Sequence, residues 1–183
     1  DRFSAVGTDH TEAGRLAATH LLERGHRRLA LLNDKPTGWA AKSRTAGYTE
    51  AMRQAGVKPD ENLFAAFESG PALEATVRRF LDAGADAIWA PAEDMQAVRV
   101  LHVLQARLGC RVPAEVSVIG GENPGISEST CPALTSIEQP LREMADRALE
   151  LLLHMTRHEP TDPKQVILPI HLNERASVAD RRT

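Results

Sequence analysis

The stretch that decides the fold runs from Gly25 to Asp34, GHRRLALLND. Its centre, Leu29 to Leu32, is an unbroken apolar run without the alternation of a half-exposed strand, so it reads as a β-strand covered on both faces. Ahead of it, residues 12–24 place Ala13, Leu16, Ala17, His20 and Leu21 on one helical face, and Gly25 supplies the stop. Behind it, residues 40–55 repeat the helical spacing with Ala41, Thr45, Tyr48, Met52 and Ala55 before Gly56. Helix, buried strand, helix is the repeating unit of a parallel α/β sheet.

The unit recurs along the chain. Residues 63–67 read as strand, and Pro71 sits in the first turn of a third helix whose stripe is Leu73, Val77, Phe80 and Leu81. Residues 87–90 form the next strand, followed by a helix over 93–108 and a buried strand over 116–120. A helix over 140–155 is expected to bury Leu141, Met144, Ala145, Ala148 and Leu152, and residues 166–170 close the regular structure. The expected fold is α/β, a doubly wound parallel sheet lobe. Two stretches break the pattern: residues 1–9, and GENPGISESTCPALTSIEQ from Gly121 to Gln139. Both are expected to leave the lobe and join another. Ligands of doubly wound sheets sit outside the carboxyl ends of the strands, so residues 33–44, 67–70, 91–94 and 121–123 are expected to converge.

Composition narrows the function. The chain has 183 residues, 42% hydrophobic and 26% charged, with a formal net charge of −3. That balance fits about one globular domain and offers no concentrated basic face for nucleic acid. No apolar run reaches the roughly 18 residues a membrane helix needs, and the N-terminus lacks the pattern of a signal peptide. Cys110 and Cys131 offer no metal or redox spacing, so a reduced, cytoplasmic setting is expected, with no cofactor and no metal. The start at Asp1, without methionine, reads as a fragment of a longer protein. There is no His-Glu-x-x-His, no Gly-x-Ser-x-Gly elbow, no P-loop and no Gly-x-Gly-x-x-Gly, and nothing supports an enzyme.

Five motifs in fixed order carry a resemblance: GHRRLALLND from Gly25; Arg44-Thr-Ala-Gly-Tyr48; DAIWAPAEDMQA from Asp86; RVPAEVSVIGG from Arg111; and LTSIEQP from Leu134. They resemble the effector-binding domain of LacI/GalR-type bacterial transcriptional regulators, a type I periplasmic-binding-protein-like fold, over nearly the whole chain. The resemblance implies a repressor whose operator binding is modulated by a small polar effector, a sugar or other metabolite, in a cleft between two lobes. It also implies a homodimer that reads operator DNA through an N-terminal helix-turn-helix absent from this chain. The alternative is an exported solute-binding protein of the same fold. The implied organisation is residues 1–9 and 121–137 as orphaned pieces of the N-terminal lobe, and residues 10–120 as the C-terminal lobe. Residues 138–172 supply that lobe's final helix and strand, and residues 173–183 are a mobile tail.

The resemblance assigns candidate effector contacts. Arg44 matches the family arginine that forks to ligand hydroxyls or a carboxylate, the other reading being a surface arginine at a helix start. Phe67 falls where the family often places an aromatic ring, with core packing the alternative. Gln139 lies at the last crossing between lobes and either reaches ligand or caps a helix. The usual Asn-Asp after the fourth strand is replaced by Pro91-Ala92-Glu93-Asp94, with Glu93 or Asp94 as the candidate substitute. The usual aromatic-Asp-Asp is Gly121-Glu122-Asn123, leaving Glu122 as ligand acceptor or solvated loop acid. Trp39 is a further pocket ring, and Trp89 is either that or core. In the fourth helix Val98, Leu101, Leu104 and Leu108 belong to an apolar arc too wide for one core face. They are expected at the dimer interface unless the chain's own neighbours bury them.

Overall fold

The computed structural model describes residues 3–34, 37–92, 94–121, 124–156 and 163–182. They divide into two compact units, one of residues 1–9 and 139–171 and a larger one of residues 10–138 and 172–183.

In the larger unit, helices α1 (His10–Glu23), α2 (Trp39–Gln54), α3 (Pro71–Asp82), α4 (Asp94–His102) and α5 (Pro124–Ser129) alternate with strands. With β1 (Ala5–Thr8) assigned to the smaller unit, the strands are β2 (Leu29–Asn33), β3 (Phe64–Ala66), β4 (Ala87–Trp89), β5 (Ser117–Gly121) and β6 (Thr135–Glu138). The sheet order is β3-β2-β4-β5-β6, extended at the β6 edge by β8 (His171–Asn173). The pairs β2·β3, β2·β4, β4·β5 and β5·β6 are all parallel. That is the doubly wound order in which the chain reverses direction across the sheet between β2 and β4. All five residues of β2 and of β5 are buried, as the apolar runs predict for strands roofed on both faces.

One helix pair fixes the front of this unit. A β-carbon added at Gly14 of α1 would lie 2.1 Å from the Arg44 carbonyl oxygen, and one at Gly47 of α2 would lie 1.9 Å from that of Thr11. Only glycine lets these backbones touch. Behind them Tyr48 stacks on Trp89, ring centroids 5.2 Å apart and 27° between planes, and its hydroxyl donates to the Ala30 carbonyl at 3.3 Å. Both rings are fully buried, so Trp89 is a core residue.

The chain's end is not a mobile tail. Ser177 is fully buried, its Oγ donating to the Val118 carbonyl at 2.5 Å and accepting from the Thr135 N–H at 2.8 Å. Arg175 reaches the Leu134 carbonyl and Glu138, and the Arg181 N–H donates to the Arg24 carbonyl at 2.7 Å. Gly25, at φ 86°, is also where this strap crosses: a β-carbon there would meet the Arg181 carbonyl at 2.8 Å. Buried His26 holds the same segment, with Nδ1 3.2 Å from Asp86 Oδ1 and Nε2 3.1 Å from both Ser117 Oγ and the Ala179 carbonyl. Ser117 is fully buried and accepts the Ala179 N–H, so this serine–histidine–aspartate line pins the strap and is closed to a substrate.

The smaller unit pairs β1 in parallel with β7 (Gln165–Leu168) and packs them with α6 (Leu141–Thr156). Two expectations change here. The helix and strand assigned with residues 138–172 to the C-terminal lobe cluster instead with residues 1–9, whereas residues 121–138 stay with the larger unit. The expected burial of Leu141, Met144, Ala145, Ala148 and Leu152 is also overturned. Described α6 has no buried residue, and Leu152 is 56% exposed, because two strands are too few to cover its apolar face. The closing strand expected over 166–170 ends at Leu168, before Pro169, and a further strand, β8, follows where none was expected. Among the described residues no helix is long and apolar enough to cross a membrane.

Candidate functional site

The site is built at the carboxyl end of β2, beside the point where the sheet order reverses. β2 is apolar until its last residue, Asn33, which is buried in the strand's final position. A buried carboxamide must fill its donors and acceptors. Asn33 Nδ2 donates to the Ala41 carbonyl at 2.9 Å and to Thr45 Oγ1 at 3.1 Å, while Oδ1 accepts the Asp34 N–H at 2.9 Å. Oδ1 also faces Arg44 Nη1 at 3.4 Å, and the same Nη1 lies 3.2 Å from Asp34 Oδ2. The Asn33 carbonyl accepts the Phe67 N–H at 2.7 Å, so one residue ties together α2, β3 and the two turns that follow β2 and β3.

Arg44 is only 6% exposed, which removes the reading of it as a surface arginine at a helix start. A guanidinium taken out of water needs an opposite charge and well-placed acceptors. The arrangement supplies both from residues next to each other in sequence. A cavity of about 510 Å³ opens beside this cluster, lined by Asn33, Asp34, Lys42, Thr45, Phe64 and Ala66 among others.

The other candidates are dispersed. Phe67 is half-buried, packs on the core, and carries the Arg99 guanidinium 5.9 Å from its ring centroid. Trp39, the first residue of α2, is 69% exposed and meets His10 edge-on at 5.2 Å. Gln139 belongs to the smaller unit, where its Oε1 accepts from Thr8 Oγ1 at 3.2 Å. Glu93 and Glu122 lie outside the described residues, as does the side chain of Asp94, whose backbone opens α4.

Three participants were not singled out from the sequence. Asn33 and Asp34 carry a signal in hindsight, since a polar pair ends an apolar strand at the edge where ligands bind. Gln96 gives none. It is fully buried in α4, its Oε1 accepts the Ala92 N–H at 2.8 Å, and its Nε2 has no hydrogen-bond partner among the described residues. That amide stands just beyond the carboxyl end of β4.

The α4 expectation needs correction. Leu101 is 3% exposed and Leu104 fully buried, both inside the unit's own core with Ala97, Val100 and Val103. Val98 and Leu108 are half-buried against the same core. The arc is wide because α4 runs into a π-helical turn, Val103–Arg107, which rotates the inward stripe around the helix. Leu101 and Leu104 are therefore closed to a partner subunit. The surface between α3 and α4 holds instead a groove of about 830 Å³, bordered by Leu73, Met95, Val98, Arg99, His102 and Arg107 among others.

A parallel sheet of this order, with a polar cluster at its reversal, defines a ligand-binding lobe of periplasmic-binding-protein type. Residues 18–178 match the model of the periplasmic binding protein-like domain, and the chain belongs to that family. It is similar to the HTH-type transcriptional regulator CelR of Thermobifida fusca, 34% identical over 183 residues, which cover 97% of this chain and 52% of CelR. It is also 34% identical over 154 residues to the regulator AscG of Escherichia coli, covering 82% of this chain and 45% of AscG. Among solved structures, the CelR–cellobiose complex matches 96% of this chain and 54% of its own, with a TM-score of 0.87 at 34% identity. A sugar-binding LacI-family regulator from Escherichia coli complexed with phosphate matches 94% of this chain and 62% of its own, with a TM-score of 0.79 at 31% identity. The chain spans about half the length of the curated relatives it matches. The likeness to LacI-type regulators is borne out, and the relatives favour it over an exported solute-binding protein.

Proposed function

We propose that the chain is the effector-sensing part of a LacI/GalR-type transcriptional repressor, and that the cluster at the end of β2 binds a small sugar. The observation that carries this reading is Arg44, a guanidinium buried at the sheet reversal and steadied by Asn33 and Asp34. A planar donor fork of this kind suits paired hydroxyl groups. The similarity to CelR, solved with cellobiose, makes a β-linked glucose disaccharide the first sugar to try. Arg44, Phe67 and Trp39 are the proposed contacts in the larger unit, and the family resemblance adds Gln139, Glu93, Asp94 and Glu122 as further candidates.

The wider reading follows the relatives. Operator DNA is bound by a helix-turn-helix in a part of the protein outside this chain. The working protein is a cytoplasmic homodimer, with the groove between α3 and α4 as the surface to probe. The exposed face of α6 belongs to a second lobe and is covered by the remainder of that lobe. Effector then acts by linkage: it shifts operator affinity by as much as its own affinities for the two states differ.

The test is calorimetric titration of the intact protein with cellobiose and related sugars, repeated with Arg44→Ala. Loss of a charge-assisted pair weakens binding by about 10- to 100-fold. Unchanged affinity in a folded Arg44→Ala variant overturns the assignment, and operator affinity insensitive to every bound sugar overturns the regulatory one.

A further inference from the structure

We propose that Asp34 is the charge-selecting residue of this site, admitting a neutral polyhydroxylated ligand and turning away an anionic one. The inference rests on the effector-site reading above. The two partners differ sharply in exposure: the Arg44 side chain is 7% exposed and that of Asp34 49%. The cation is thus sealed in the fold while the carboxylate that answers it faces outward. A ligand atom that reaches Arg44 Nη1 comes within reach of Asp34 Oδ2, 3.2 Å from it.

The chemistry of that meeting depends on the ligand. A hydroxyl both donates and accepts, so it can give its proton to Asp34 Oδ2 and take one from Arg44 Nη1, leaving both groups satisfied. A carboxylate or phosphate oxygen only accepts. It would compete with Asp34 for Nη1 and set two anions against each other in a partly desolvated place. Asn33 cannot relieve that conflict, because its Nδ2 is committed to Ala41 and Thr45 and its Oδ1 to the Asp34 N–H. The same N–H bond fixes the turn from which the Asp34 carboxylate projects. Lys42 lines the neighbouring cavity, but its side chain is exposed, and water and salt screen it.

Asp34→Asn keeps the shape and removes the charge. In the intact protein, glucose and glucose 6-phosphate, and cellobiose and cellobionate, are titrated as neutral and anionic pairs into the wild type and D34N. D34N is expected to raise the affinity for the anionic member of each pair, relative to the neutral one, by about tenfold or more. A second arm does not depend on which sugar is the effector. Inorganic phosphate is titrated while the Arg44 side-chain resonance is followed by NMR. The wild type should show no saturable shift and D34N should show one; phosphate should also raise the melting temperature of D34N, and D34N/R44Q should lose that rise. Asp34→Ser serves in its place if D34N does not fold. Phosphate binding at Arg44 in the wild type, or no gain in either variant, overturns the proposal. If no sugar binds any variant, the sugar reading fails, while the phosphate arm still decides the role of Asp34.

Discussion

Gly47 meets the Thr11 carbonyl so closely that a methyl group on its α-carbon would lie 1.9 Å from that oxygen. The contact sets the spacing of α1 and α2, and with it the position of Arg44, one helical turn before Gly47. Gly47→Ala must push the helices apart, since the obstacle is backbone rather than a side chain that can swing away. We expect a loss of at least about 1–3 kcal/mol in urea unfolding, as for other overpacked cores, together with weaker effector binding. An alanine variant of wild-type stability would mean that the helices slide without cost.

His20 gives the protein a pH dependence with a definite sign. Burial, and then the Arg24 charge, push its pKa down to about 4 from 6.5. The fold therefore holds the ring neutral, whereas the unfolded chain takes up a proton as pH falls below 6.5. The contribution of His20 is complete above that value and is lost as pH falls from 6.5 toward 4. Unfolding free energy measured across that window should fall less steeply in His20→Leu than in the wild type. Parallel curves for the two proteins would count against it.

Ser177 predicts that the chain's end is structural. Its hydroxyl serves both Val118 and Thr135, so Ser177→Ala leaves buried backbone groups short of a partner. The expected cost is about 1–3 kcal/mol, and deletion of residues 175–183 should cost more. Fast hydrogen exchange at the Val118 and Thr135 amides in the wild type would contradict this.

Assembly through the proposed interface, the groove between α3 and α4, can be tested apart from folding. Leu104→Ala should destabilise the subunit by about 2–5 kcal/mol as a core truncation. Val98→Glu, at a half-buried position, should cost less stability than Leu104→Ala and shift sedimentation of the intact protein toward monomer. A dimer unaffected by Val98→Glu places the interface elsewhere.

The order of elements in the larger unit was legible because LALL and VSVI are too apolar to be half-exposed, and because Gly25, Gly56 and Gly84 stop helices where the periodicity ends. Arg44 was legible through its motif, but the way it is held was not. That depends on Asn33 turning its amide toward Ala41 and Thr45, a geometry no spacing shows. Helix α6 marks a plainer limit: periodicity identifies which face of a helix is apolar, and says nothing of whether anything lies against it. The tail was misread for a related reason. Polar, arginine-rich composition describes how residues meet water, whereas Ser177 and Arg175 are held by partners dozens of positions away. The π turn after α4 has no sequence mark, so its wide stripe looked like surplus apolar surface.

The division of the chain gives neither compact unit a continuous stretch of its own: the polypeptide passes between them at residues 9/10, 138/139 and 171/172. A single protease cut at any of these junctions leaves both units joined by the other two passages. Gene fragments ending at Glu138 would lack β8 and the strap that Ser177 locks. The units must therefore be inherited, expressed and dissected together, and a rearrangement of one against the other has to be accommodated by three backbone segments at once.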